Sequence, residues 1–135
     1  MYQRLLIITI CTLYCAFVFG QEEESKVFEK IEITASTDTK LWNQHIQRYS
    51  KLPDSIQQKI PSGTYKVEVQ FVINKMGDLG SVKAKNNPGY GLNKIAEKII
   101  SNYPGRWRPA NQCGRDVSAY RTEQIVFIIN NQKTI

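Results

Sequence analysis

The sequence predicts an α+β fold, a three-stranded antiparallel sheet with two helices packed on one face, and three observations carry that reading. Residues 64–74 (TYKVEVQFVIN) alternate, with Tyr65, Val67, Val69, Phe71 and Ile73 on one face and Lys66, Glu68 and Gln70 on the other. That is the two-residue period of a half-buried strand. Leu92, Ile95, Ala96, Ile99, Ile100 and Tyr103 recur at the spacing of one helical stripe. Residues 120–130 form a last strand through the run Ile125-Val126-Phe127-Ile128-Ile129, rich in strand-forming residues. With a helix ahead of the first strand, the order becomes helix, strand, strand, helix, strand, which suits an antiparallel sheet covered on one side.

Taken from the start, residues 1–20 differ in kind from the rest, since Arg4 is their only charge and residues 5–19 (LLIITICTLYCAFVF) are dominated by apolar side chains. Fifteen residues at about 1.5 Å rise cover roughly 22 Å, short of the roughly 30 Å of bilayer hydrocarbon. Small Gly20 then precedes the polar Gln21-Glu22-Glu23-Glu24, so a secretory signal peptide cleaved after Gly20 is expected, with an uncleaved membrane anchor as the alternative. Cleavage removes Cys11 and Cys15 and leaves Cys113 as the single thiol, so no disulfide forms within the mature chain. Residues 21–36 are an N-terminal stub in which 27–33 (VFEKIEI) could form a short strand. The folded domain is expected over residues 37–131.

Within it, Thr37-Asp38 offers an N-cap to a helix of about twelve residues whose face carries Leu41, Trp42, His45, Ile46 and Tyr49. Pro53 ends that helix, and residues 54–60 add a further short turn before Pro61-Ser62-Gly63 breaks the pattern. Lys75-Met76-Gly77-Asp78 turns the chain from the first strand into a returning strand over 79–85, and residues 86–91 (NNPGYG) form a second loop. Pro104-Gly105 stops the second helix. Cys113-Gly114 then marks a tight turn where glycine supplies a positive φ.

Composition narrows the function. The chain has 135 residues, 41% hydrophobic and 22% charged, which is the balance of one globular domain. Its formal charge is +6, and removing Arg4 with the leader leaves 17 cations against 12 carboxylates, or +5. This suits anionic envelope surfaces, while export argues against a nucleic-acid partner. An enzyme is not expected: His45 is the only histidine, no nucleophile motif is present, and one His with one mature Cys cannot assemble a zinc site without distant carboxylates. No cofactor or metal is implied. Residues 87–91 lack the Gly-Lys-Ser/Thr ending of a phosphate loop. Arg106-Trp107-Arg108 reads either as a ring that stacks on a sugar or base, or as a buried tryptophan between solvated arginines. A three-stranded sheet that ends near the C-terminus leaves an edge of unpaired N–H and C=O groups, open to β-augmentation by an extended peptide.

At this point the wording of the chain resembles the C-terminal domain of the TonB energy-transducer family, in its short Bacteroidetes-like form. Leu52-Pro53, the stretch 63–75 (GTYKVEVQFVINK) with Gly77, Pro88-Gly89-Tyr90-Gly91-Leu92 with Ala96, Trp107-Arg108-Pro109-Ala110 followed by Gly114, Val117 and Tyr120, and Ile125-Val126-Phe127 follow the family's motifs in order. The resemblance implies a TonB C-terminal domain-like fold in which Gly63, Gly77, Gly91, Ala96, Trp107, Pro109 and Gly114 are structural. It further implies a domain of the periplasm, or one anchored in the inner membrane and facing the periplasm. The implied role is to grip the TonB box peptide of an outer-membrane TonB-dependent receptor. Carried over residue by residue, the binding strand is Tyr120, Arg121, Thr122, Glu123, Gln124, Ile125, Val126, Phe127 and Ile128, with Leu52 and Pro53 as a secondary contact. An anchored form would also meet the inner-membrane proton-channel complex, and a homodimer is a further option. No long proline-rich reach is evident: residues 21–41 span at most about 70 Å when fully extended. A stand-alone periplasmic adaptor for another envelope protein or for peptidoglycan stays open as the alternative.

Overall fold

The structure is a computed structural model that describes residues 33–131. The expected signal peptide, residues 21–32 of the stub and all but the last residue of the strand expected at 27–33 lie outside the described residues. The described chain opens with the two-residue strand β1 (Ser36–Thr37), and Asp38 then caps helix α1 (Thr39–Ser50) by accepting a hydrogen bond from the Leu41 N–H at 2.9 Å. An aspartate there satisfies one of the orphan amides of the first turn and lies at the positive end of the helix. Lys51 is already extended, and Leu52 precedes Pro53, whose ring disfavours a helical residue before it, so the helix ends. Pro53 starts the one-turn helix α2 (Asp54–Gln57), where Gln57 Nε2 donates to the Leu52 carbonyl at 2.6 Å.

The long strand β2 (Gly63–Ile73) follows, and Asn74 then turns the chain: its Oδ1 accepts from the Met76 and Asp78 amides, both at 2.9 Å. Strand β3 (Leu79–Ala84) returns antiparallel, with a bulge opposite Phe71 and Val72. Helix α3 (Leu92–Ser101) buries Leu92, Ala96, Ile99 and Ile100. Beyond it come β4 (Trp107–Arg108), β5 (Ala110–Gln112), β6 (Arg115–Val117) and the eleven-residue β7 (Ala119–Ile129).

The main sheet has the order β3-β2-β7 and is antiparallel throughout. β2 and β7 pair without interruption from Gly63 opposite Ile129 to Ile73 opposite Ala119. Val67, Val69, Phe71 and Ile73 of β2 and Ile125, Phe127 and Ile129 of β7 face the helices and are buried. Each such side chain contributes roughly 1.5–3 kcal/mol on burial, so this layer dominates stability. Aromatic rings fill the end of the core near the turn, where Trp42 lies 5.1 Å from Trp107 and 4.8 Å from Tyr103, and Phe71 lies 5.4 Å from Trp107.

The expectation of a mixed fold with antiparallel strands and helices holds, but the inventory of elements differs from three strands and two helices. Two further two-stranded ladders are present, β1 with β4 and β5 with β6, and Ile33 exchanges backbone hydrogen bonds with Asn111 at 2.9 and 3.1 Å. The turn expected at residues 54–60 is a third helix of one turn. Strands of two or three residues are too short to show a period, which is why the pattern did not announce them.

Candidate functional site

The two edges of the main sheet are built differently, and backbone direction shows how. Glu68 accepts from the Lys85 amide at 2.7 Å and Lys66 accepts from Asn86 Nδ2 at 2.9 Å, so both point their backbone groups toward the β3 side. Alternation along β2 then sends the odd-numbered residues toward β7, and their partners 119, 121, 123, 125, 127 and 129 point back. The even residues Tyr120, Thr122, Gln124, Val126 and Ile128 therefore turn their N–H and C=O groups to the outer edge. Among the described residues no backbone partner sits on that edge.

The β3 edge is shorter and partly blocked by contrast. It is six residues long, bulged, and plugged at its end by Glu97, whose Oε1 accepts from the outward Ala84 amide at 2.9 Å. That hydrogen bond, with a second from Lys94 at 3.0 Å, holds the Glu97 carboxyl below the usual glutamate range. Asn86 extends the plug: its Oδ1 accepts from the Glu68 amide at 2.8 Å while its Nδ2 reaches Lys66, so a side chain pairs with β2 where β3 has already ended.

Side chains of the same even residues of β7 lie on the sheet face away from the helices, beside Thr64, Lys66, Glu68, Gln70 and Val72 of β2. That face carries no covering element among the described residues, and Ile128 and Tyr120 are 63% and 46% exposed on it. The odd residues have other work. Ile125 and Phe127 are core, and Arg121 and Glu123 form an ion pair at 2.6 Å. Arg121 also donates to the Ala35 carbonyl at 2.5 Å and lies over the Trp107 ring at 5.2 Å, which ties the start of the described chain to the final strand. An ion pair on the helix-facing side of an edge strand disfavours burial of that edge in an apolar sheet.

The nine residues expected to bind a partner thus divide. Tyr120, Thr122, Gln124, Val126 and Ile128 are presented together, whereas Arg121, Glu123, Ile125 and Phe127 are occupied inward. Leu52 is buried and Pro53 exposed, and both line a groove between α1 and α3 to which β7 contributes nothing. Of the expected structural residues, Ala96 and Trp107 are buried, Gly91 begins α3 with φ 73°, and Gly77 (φ 84°) packs against the Trp107 carbonyl and Pro109. Gly63 starts β2, and Gly114 lies with Cys113 in the turn between β5 and β6.

Burial of Trp107 at 6% exposure removes its faces from a surface ligand, with Arg106 and Arg108 exposed on either side. His45 is also buried and donates through Nε2 to the Ile99 carbonyl at 2.7 Å, a bond that joins α1 to α3. Glu97 and Asn86 were not foreseen, because their task exists only where a strand edge meets them. Among the described residues no helix is long and apolar enough to cross a membrane, and no three His, Cys, Asp or Glu residues converge as metal ligands would. No family model and no curated protein matches the chain.

Proposed function

We propose that the protein is a TonB-like binding domain of the periplasm that takes part in TonB-dependent transport by accepting the extended TonB box segment of an outer-membrane receptor along β7. The supporting observation is the asymmetry of the sheet, one edge short, bulged and plugged, the other eleven residues long and regular. The motif order described above supplies the identity of the partner.

Magnitudes say what such binding needs. Five outward residues offer five donors and five acceptors, each worth roughly 0.5–1.5 kcal/mol net, while ordering the incoming backbone costs about 1–2 kcal/mol per residue. Over the roughly nine residues that such a strand orders, the backbone terms at best cancel. Affinity then depends on side chains that reach the bare face beside Tyr120, Val126 and Ile128, so the partner segment carries apolar residues at alternate positions.

Two prolines test the geometry with the full chain and a synthetic TonB box peptide. Gln124→Pro removes an outward amide, which an edge strand tolerates, and is expected to keep the fold and weaken the peptide by about tenfold or more. Ile125→Pro removes an amide of the ladder with β2 and is expected to cost about 3 kcal/mol or more of stability. Bound peptide should slow hydrogen exchange at Thr122, Gln124 and Val126. Saturable binding that leaves those amides unchanged would overturn the reading, and binding to isolated peptidoglycan without any response to the peptide would favour the adaptor.

A further inference from the structure

A groove of about 320 Å³ runs between α1 and α3 and is closed at one end by Leu52, Pro53 and Ile56 of the α1–α2 region. Its size lies at the lower end of the roughly 300–1,000 Å³ typical of small-molecule sites. Leu52, Ile56, Ile95 and Ile99 make its surface mostly aliphatic, and the half-exposed Tyr49 ring forms a wall. Arg48, Lys51 and Lys98 stand around it, and no carboxylate lines it. Among the described residues the ion pairs are Lys94 with Glu97 and Arg121 with Glu123, so none of the three cations is neutralised by an acid.

The polar groups nearest the floor are already engaged. His45 Nε2 is bonded to the Ile99 carbonyl, and the Leu52 carbonyl is taken by Gln57 Nε2, which leaves Asn102 and the Tyr49 hydroxyl as the neutral hydrogen-bonding side chains of the lining. An extended peptide laid here would strand its own amides against carbon, at about 1–3 kcal/mol for each unsatisfied group. A hydrocarbon chain has no such groups. A single anionic head at the end of that chain would meet three cations on flexible stems that no carboxylate neutralises, with Arg48 lying over the Tyr49 ring at 5.9 Å.

We infer that this groove binds a single-chain anionic amphiphile, a medium-chain fatty carboxylate, with its tail along Ile95, Ile99 and Leu52 and its head between Arg48, Lys51 and Lys98. The site is separate from the β7 edge, and its occupancy does not depend on the function proposed above.

The test is a titration of the full chain with dodecanoate below its micelle concentration, followed through isoleucine methyl resonances. Site resolution matters because the apolar run at residues 5–19 can itself take up amphiphile. Ile56, Ile95 and Ile99 should shift together along one saturable curve, with Ile73 and Ile125 of the sheet unmoved. Arg48→Glu combined with Lys98→Glu, both exposed, should retain the fold and weaken that curve by about tenfold. Dodecyltrimethylammonium, with the same tail and opposite charge, should bind the wild type at least about tenfold more weakly. Equal affinity for the two head groups, insensitivity to the double reversal, or response to an acidic peptide but not to dodecanoate would each overturn the inference.

Discussion

Gly77 and Gly89 hold similar backbone conformations, with φ of 84° and 97°, and differ in surroundings. A methyl built on Gly77 would overlap the Trp107 carbonyl, whereas nothing lies within 4 Å of the same methyl on Gly89. The left-handed conformation alone costs an L-residue roughly 1–2 kcal/mol. Gly89→Ala is therefore expected to lose about 1 kcal/mol, and Gly77→Ala at least about 2 kcal/mol more because the turn must move away from β4. Urea denaturation of the two variants decides it, and equal losses would mean that the packing against Trp107 is loose. At this scale the sequence is a partial guide: Cys113-Gly114 reads as a tight turn, yet nothing in a cysteine announces its own φ of 51°, which the hairpin between β5 and β6 imposes.

At the scale of elements, Glu97 fastens α3 to the end of β3 through the Ala84 amide. Its folded-state carboxyl is held below the ordinary value, chiefly by that hydrogen bond and next by Lys94. A depressed carboxylate contributes stability that is fully present above the unfolded value of about 4.3 and is lost as pH falls through the folded value. Glu97→Gln keeps an oxygen for Ala84 without the charge. Its urea midpoint should decline less than that of the wild type between about pH 5 and pH 3. Parallel declines in the two proteins would remove Glu97 as a source of acid sensitivity. The stripes of α1, α3 and β2 were legible because each is long enough to show its period, and β7 was legible from its run of strand-forming residues. The last strand was legible as a strand, but not its division into outward and inward residues. A period of two tells which side chains meet the core; which backbone groups stay unpaired depends on whether each edge of the strand acquires a neighbour.

Across the whole molecule, the two tryptophans sit where every layer meets. Trp42 belongs to the helix layer and Trp107 to β4, and both touch Phe71 of the central strand. Arg121 adds the final strand and the residues before β1 to the same cluster. Loss of any layer exposes both indoles, so unfolding in urea should give coincident transitions by tryptophan fluorescence and by far-ultraviolet circular dichroism. A fluorescence transition that precedes the loss of secondary structure would show that the β1–β4 ladder opens on its own.

The Asn86 side chain, standing in as one more residue of β3, has a consequence for assembly. A sheet with two open edges behaves as a bifunctional monomer and propagates, copy after copy, into a filament. Here Glu97 occupies the outward Ala84 amide of the short, bulged β3 edge and Asn86 caps β2 beyond it, which biases strand pairing toward β7. Growth past a pair joined through β7 would have to use the short, bulged β3 edge, so a peptide bound at β7 acts as a chain terminator.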